Sequence, residues 1–185
     1  PGTGSLTEKI FSKNPKKIFA IEKDKDLSKN LSNKFKEKLT IINEDILKVD
    51  EKKLSNNPMI VFGNLPYNIS TQILASFILI DEWPPWYEVL IFMFQKEVAD
   101  RILAKSNSKE FGRLSVLCNW RLDVKKQFDV SKNCFFPKPK INSTVLSFKP
   151  KKNNKFLIKN PKNLETITRV LFSNRRKMIN KNFSK

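Results

Sequence analysis

Short apolar strands alternate with amphipathic helices along most of this chain, and that alternation restricts the fold more than any other feature. The strands are predicted over residues 17–22, 39–43, 59–62 and 88–94, and the helices over residues 26–38, 69–80 and 96–104. Strands of this kind, separated by helices, are typical of a mostly parallel sheet covered on both faces. The chain is therefore expected to have an α/β fold.

The later part of the chain departs from this regular alternation. Residues 114–120 fit either a helix or a strand, whereas residues 124–130 and 143–148 are predicted strands. The second of these two strands is a suitable antiparallel partner within the sheet. Residues 151–162 are polar and rich in Lys, Asn and Pro, which is typical of a linker, and the apolar spacing after them predicts a helix over residues 163–183.

The charge and the composition exclude several classes of site. The chain has 36 Lys and Arg against 18 Asp and Glu, a net charge of +18, which favours a polyanionic partner such as nucleic acid. An AT-rich genome would produce the same excess of Lys, Asn, Ile and Phe. The sequence has no His and only two Cys, so no His-based catalysis and no metal site are predicted. The longest apolar run, residues 69–80, is too short and too polar to cross a membrane.

Polar residues at the ends of three predicted strands, together with an N-terminal glycine turn, predict one cofactor cleft. Glu22 ends the first strand, Asp45 follows the second and Asn64 follows the third. Ligands of open parallel sheets bind beyond the carboxyl ends of the strands. Gly2 and Gly4 lack a Cβ atom and let the backbone approach a ligand. A carboxylate at position 22 can accept from both hydroxyls of a ribose, and one at position 45 from an adenine amine.

The segment Asn64-Leu65-Pro66-Tyr67 carries the strongest chemical signal, although Asn and Pro also favour simple turns. The amine of an adenine is a poor nucleophile because its lone pair is delocalised into the ring. An Asn oxygen and the carbonyl oxygen of Leu65 could both accept from its hydrogens and favour a pyramidal nitrogen. Pro66 would fix the backbone, and Tyr67 could stack on the base. The loop is thus expected to be catalytic.

These residues resemble the KsgA-type ribosomal RNA adenine N6,N6-dimethyltransferases. Six segments carry the resemblance in collinear order over nearly the whole chain: PGTGSLT at 1–7, FGNLPYNIS at 62–70, QKEVADR at 95–101, FGRLSV at 111–116, PKPKINS at 137–143 and SNRRK at 173–177. The resemblance implies a Rossmann-like, S-adenosylmethionine-dependent methyltransferase sheet, mostly parallel with an antiparallel strand. It also implies the start of a small helical C-terminal domain.

The activity that the resemblance implies is dimethylation of two adjacent adenines in a hairpin near the 3′ end of small-subunit ribosomal RNA. S-adenosylmethionine would be the cofactor, and the pre-ribosomal small subunit the partner of a cytoplasmic monomer. The cofactor-contacting positions of the family match Gly2, Gly4, Glu22, Asp45 and Asn64. Phe135 matches an aromatic residue that packs on the flipped adenine, with Phe136 as an adjacent alternative. The candidate contacts to RNA phosphates are Arg113, Arg175, Arg176 and Lys177.

The resemblance also predicts the domain organisation. Residues 1–150 would form the catalytic domain, residues 151–162 a linker, and residues 163–185 the first helix of a helical RNA-binding domain. The family's first strand would precede Pro1, as would an acidic residue, the first glycine and the segment that closes over the cofactor. Without that strand, the strands that end near Glu22 and Asn64 are expected to have exposed edges and the chain to bind its cofactor weakly.

Three other functions remain open at this point. A methylase of large-subunit ribosomal RNA that confers antibiotic resistance would share the fold, but residues 95–101 and 111–116 favour the small-subunit enzymes. A noncatalytic RNA-binding assembly or transcription factor could also use this fold, although residues 64–67 are intact. A DNA adenine methylase would usually carry Pro where Leu65 stands.

Overall fold

A computed structural model describes residues 1–152 and 158–173, and these form two compact units. The first unit comprises Pro1–Asn57, and the second begins at Pro58. No helix in these two described stretches combines the length and the apolar character that crossing a membrane requires.

The first unit is a small α/β element built on two parallel strands. Its elements are helix α1 (Ser5–Phe11), strand β1 (Phe19–Ile21), helix α2 (Lys25–Phe35) and strand β2 (Thr40–Ile42), with short 3₁₀ turns at Lys36–Lys38 and Glu51–Lys53. Strand β1 pairs with β2 in parallel, with Ala20 opposite Ile41. Ala20, Leu31 and Leu39 form the buried core of this unit, and Phe35 of α2 packs against it.

The second unit is a four-stranded mixed sheet with helices. Its strands are β3 (Met59–Asn64), β4 (Tyr87–Gln95), β5 (Leu122–Val130) and β6 (Ser143–Pro150), and its helices are α3 (Ser70–Ile78), α4 (Lys96–Leu103), α5 (Arg113–Arg121) and α6 (Pro161–Ser173). The strand order is β3-β4-β6-β5, with β3 parallel to β4, and β6 antiparallel to both β4 and β5. Three strands therefore run in one direction, which confirms the predicted mostly parallel sheet with one antiparallel strand.

The edge of the sheet that matters for function is the one along which strands end, not the one formed by an outermost strand. The carboxyl ends of β3, β4 and β5 lie at the same edge as the amino end of β6, where Gln95 and Val130 both pair with Ser143. The loop after β3 and the connection from β5 to β6 both leave the sheet at this edge. Ligand sites of such sheets lie beyond these strand ends.

The two faces of the larger sheet are covered unequally. Leu90, Phe92 and Phe148 on one face are fully buried, whereas Ile60 and Phe62 on the other face of β3 remain 55% and 43% exposed. Burial of both faces was the sequence-based expectation, and the face of β3 that carries Ile60 and Phe62 departs from it. Among the described strands, β1 pairs only with β2 and β3 only with β4, so each is an edge strand of its own sheet.

Two sequence-based boundaries are resolved by the structure. Residues 114–120, which fitted either type of element, belong to helix α5. The predicted helix after the linker begins at Pro161, two residues earlier than expected, since proline is well suited to the first turn of a helix. Its predicted continuation over residues 174–183 lies outside the described residues.

A buried arginine joins helix α3 to helix α5. The Arg121 side chain is 4% exposed, and its Nη1 atom donates to the carbonyl oxygens of Ile78 and Ile80 at 2.7 and 2.5 Å. The guanidinium carbon lies 4.6 Å from the ring centre of Trp83 and 4.0 Å from that of Trp120. Arg121 thus caps the carboxyl end of α3, and the loop that carries Trp83 has a structural role.

Candidate functional site

Glu22 is held in place by the backbone of the N-terminal turn and of helix α2. Its Oε2 atom accepts from the Gly2 amide at 3.1 Å, and its Oε1 atom accepts from the Asp24 amide at 3.0 Å. The Glu22 side chain is only 13% exposed. A carboxylate can accept about four hydrogen bonds, so Glu22 keeps acceptor capacity for hydroxyl groups of a ligand.

The two glycines of the turn have different structural reasons to be glycine. Both have positive φ angles, +59° at Gly2 and +85° at Gly4. A Cβ atom on Gly2 would meet no other atom within 4 Å, whereas one on Gly4 would lie 2.8 Å from the Phe35 ring and 2.9 Å from Leu31. Gly2 therefore leaves open space beside Glu22, and Gly4 allows the turn to pack on α2.

Asp45 is oriented by two hydrogen bonds after strand β2. Its Oδ2 atom accepts from Lys23 Nζ at 2.9 Å, and its Oδ1 atom accepts from the Leu47 amide at 3.1 Å. The hydrogen bond from Lys23 holds the pKa of the Asp45 carboxyl below its usual value, with a further contribution from the Leu47 amide. Asp45 is thus an ionised acceptor at neutral pH, suited to an amine.

The predicted catalytic loop follows strand β3 in the second unit. The carbonyl oxygen of Pro66 accepts from the Ile69 amide at 3.1 Å, and that of Tyr67 accepts from Ser70 Oγ at 3.1 Å. Asn64 is exposed, and none of the described residues donates to its side-chain oxygen or to the carbonyl oxygen of Leu65. Both oxygens predicted to contact an adenine amine therefore accept no hydrogen bond from the described residues.

Gly63, which was not predicted as a site residue, shapes this loop. A Cβ atom at this position would lie 2.8 Å from Leu65 Cδ2 and 2.9 Å from Phe92 Cδ1. The Leu65 side chain and the Phe92 ring therefore occupy the space beside Gly63 that a larger residue would need. The place of Gly63 directly before Asn64 was the only signal in the sequence.

Ser143 is a second residue that the sequence reasoning did not select. The Tyr67 hydroxyl and Ser143 Oγ are joined by a hydrogen bond of 2.8 Å. Ser143 is fully buried and is the first residue of β6. Ser143 is the last residue of the segment 137–143 that carries the family resemblance, which was the only sequence signal for it. Its partner Tyr67 lies 76 residues away along the chain, so the sequence did not reveal the bond.

Phe135 and Phe136 lie in the connection between β5 and β6. Phe135 is half-buried directly after a 3₁₀ turn at Lys132–Cys134, whereas Phe136 is fully exposed. The connection leaves the sheet at the edge where the loop after β3 also begins. The predicted catalytic loop and the connection that carries Phe135 and its alternative Phe136 therefore both start from one edge of one sheet.

The predicted RNA-binding residues have different outcomes. Arg113 Nη2 lies 2.5 Å from Glu165 Oε1, an ion pair that joins α5 to α6. The contact of Arg113 with RNA stays a prediction, because in the structure its guanidinium group is paired with Glu165. Arg175, Arg176 and Lys177 lie outside the described residues.

Comparisons with known proteins identify the family of this chain. The family model for ribosomal RNA adenine dimethylase matches residues 1–185. "Ribosomal RNA small subunit methyltransferase A" of Pelagibacter ubique (strain HTCC1062) is 52% identical over 184 residues, covering 100% of this chain and 70% of the relative. Two further relatives of the same name are covered to 65% and 62% of their lengths. The chain thus spans about two thirds of the curated relatives it matches.

Solved structures lead to the same fold. A dimethyladenosine transferase from Plasmodium falciparum superposes with a TM-score of 0.78 at 26% identity, over 100% of this chain and 65% of that one. The 23S rRNA methyltransferase ErmE superposes with a TM-score of 0.72 at 21% identity, over 100% of this chain and 72% of that one, a likeness of fold. The match of the family model over the whole sequence and the 52% identity of a curated relative decide the assignment. The chain belongs to the ribosomal RNA adenine dimethylase family.

Proposed function

We propose that this chain carries the catalytic machinery for N6-dimethylation of two adjacent adenines in a 3′-terminal hairpin of small-subunit ribosomal RNA. One observation supports this function most directly. The Asn64 side chain and the Leu65 carbonyl group stand at the end of β3 as acceptors that no described residue uses, in a chain of the ribosomal RNA adenine dimethylase family.

The residues of the first unit suit a nucleoside cofactor. Glu22 is a fixed carboxylate beside the open space at Gly2, which fits the hydroxyl groups of a ribose. Asp45 is an ionised acceptor, which fits the exocyclic amine of an adenine. S-adenosylmethionine would supply an electrophilic methyl group. No metal ligand enters this assignment.

The catalytic loop would act on the target adenine by positioning and by electrostatics. The Asn64 oxygen and the Leu65 carbonyl oxygen would accept from the N6 hydrogens, so that the nitrogen lone pair is localised and directed at the methyl group. The new N–C bond would form as the S–CH₃ bond of the sulfonium breaks, with S-adenosylhomocysteine as the leaving group, and the extra proton on the nitrogen would leave to solvent afterwards. Because no proton is removed before attack, the absence of His in the sequence is compatible with the reaction.

RNA recognition completes the proposal. The net charge of +18 suits an RNA backbone, and Phe135, or alternatively Phe136, would stack on the extruded base. Arg113, Arg175, Arg176 and Lys177 are the proposed phosphate contacts. The proposed substrate is the small-subunit ribosomal RNA, and the protein would act on it in the cytoplasm as a monomer.

Replacing Glu22 with glutamine is expected to weaken S-adenosylmethionine binding by about ten- to a hundredfold. The amide keeps one acceptor oxygen for a backbone N–H, but it loses the charge-assisted bonds to the ribose, each worth about 1.5–3 kcal/mol. Calorimetry would measure this in the chain itself and in a chimera carrying the flanking segments of the Pelagibacter relative. Glu37→Gln, at an exposed position on a 3₁₀ turn, is the control. Equal affinity of the Glu22 variant and the parent would remove Glu22 from the site.

The choice of substrate is tested by radiolabelled methyl transfer from S-adenosylmethionine, again with the chain and the chimera. Unmethylated small subunits are expected to accept label on two adjacent adenines, and large subunits and adenine-containing DNA at least a hundredfold less. Mapping the modified nucleotides identifies the hairpin. Label confined to large subunits or to DNA would replace the proposed substrate, and no transfer to any of the three would favour a noncatalytic role.

A further inference from the structure

We propose that Ser143 is a positioning residue, which acts through its hydrogen bond to Tyr67 and orients the ring on which the target adenine stacks. This inference rests on the proposed function, because it assigns a role within that reaction. The direct observation is the hydrogen bond of 2.8 Å between the Tyr67 hydroxyl group and Ser143 Oγ.

The path of the Tyr67 side chain follows from the order of the strands. Tyr67 lies in the loop after β3, Ser143 begins β6, and β4 lies between those strands in the sheet. Neighbouring strands are about 4.8 Å apart, so β3 and β6 are separated by roughly two strand spacings. The loop after β3 and the Tyr67 side chain together therefore bridge the carboxyl end of β4.

The two ends of the tyrosine are both fixed. Its carbonyl oxygen accepts from Ser70 Oγ, and its hydroxyl group is bonded to a serine that is 0% exposed. Ser143 is itself held on both sides, since it pairs with Gln95 of β4 and with Val130 of β5. These bonds fix the direction of the ring. Because Tyr67 is only half-buried, the ring still has surface available to a base.

Ser143 also connects the two aromatic groups that are proposed to contact the adenine. It directly follows the connection that carries Phe135, and through Tyr67 it is bonded to the catalytic loop. A displaced Tyr67 ring would misplace the base relative to Asn64, and small misplacements of reacting groups reduce rates strongly. The bond is thus expected to affect the turnover of bound RNA more than the binding of RNA.

Steady-state kinetics of a double-mutant cycle test the role. Ser143→Ala and Tyr67→Phe, measured in the chain and in the chimera, should each lower kcat about tenfold and change KM for RNA less than twofold. The double variant should be no slower than the slower single variant, because both changes remove the same bond. Ser147→Ala is the matched control, since it removes a bond of 2.7 Å to Gln127 from the same strand. A normal kcat for Ser143→Ala, or additive losses in the double variant, would overturn the proposal.

A second readout does not depend on activity. Tyr67 and Tyr87 are the two tyrosines of the sequence, so ¹³Cζ-labelled tyrosine gives two resonances, and Tyr67→Phe assigns them. Ser143→Ala should shift the Tyr67 resonance and leave that of Tyr87, whereas Ser147→Ala should shift neither. An unmoved Tyr67 resonance would contradict the bond itself. If the resonance moves but no variant transfers methyl groups, the proposed function fails and the positioning role fails with it, while the bond stands.

Discussion

Replacing Asn64 with alanine is expected to lower kcat for methyl transfer by about a hundred- to a thousandfold, the range seen when one preorganised polar group is removed from a transition-state site. The variant would lose the side-chain acceptor for the adenine amine and keep only the Leu65 carbonyl group. Asn64 is exposed and lies at the end of β3, where its side chain accepts from no described residue. Its loss should therefore change the free energy of unfolding by less than about 0.5 kcal/mol.

The measurement is radiolabelled methyl transfer to small subunits at saturating S-adenosylmethionine, with thermal unfolding measured in parallel. Asn68→Ala is the matched control, since Asn68 is an exposed asparagine in the same segment and has no assigned role. We expect this control to keep at least half of the parent activity. An Asn64→Ala variant with parent activity would remove the catalytic loop from the mechanism, whatever the fate of the cofactor residues.

The sequence predicted the elements of this fold because each depends on neighbouring residues. The spacing of Leu27, Leu31 and Phe35 is enough to specify helix α2, and the apolar run before Gly63 is enough to specify β3. Residues 114–120 were ambiguous because apolar residues are spread around that helix without a clear face. The structure buries Leu117, Cys118 and Arg121. Buried positions therefore include a charged residue, and the helix has no apolar stripe that the sequence could reveal.

The candidate site residues were chosen from the same kind of local signal. Glu22, Asp45 and Asn64 were selected because each lies at or beside a predicted strand end. The bond from Tyr67 to Ser143 and the ion pair from Arg113 to Glu165 join residues 76 and 52 positions apart. Nothing in the local sequence specifies such pairs, since they depend on strand order and helix packing. Arg113 was therefore chosen as a phosphate contact without regard to Glu165, which is its acidic partner in the fold.

Replacing Arg121 with alanine is expected to destabilise the second unit by about 3–5 kcal/mol. Two carbonyl oxygens, those of Ile78 and Ile80, would lose a charged donor, and such bonds are worth about 1.5–3 kcal/mol each. The rings of Trp83 and Trp120 would also lose the cation between them, a contact of about 0.5–2 kcal/mol. The buried Nε atom of Arg121 has no hydrogen-bond partner in the described residues, so its removal recovers a little of this loss.

Denaturant unfolding followed by tryptophan fluorescence measures this effect selectively, since Trp83, Trp86 and Trp120 all belong to the second unit. Arg101→Ala is the control, because Arg101 forms an exposed ion pair with Glu97 within α4 and should cost less than about 1 kcal/mol. Arg121→Lys should have an intermediate unfolding free energy. An ammonium group keeps the charge, but it lacks the planar guanidinium that donates to two carbonyl oxygens and packs on the two tryptophan rings. A cost below about 1 kcal/mol for Arg121→Ala would mean that α3 ends as it does for reasons of its own sequence. A cost in the expected range would instead make the buried cation the group that fixes the carboxyl end of α3, the helix that follows the catalytic loop.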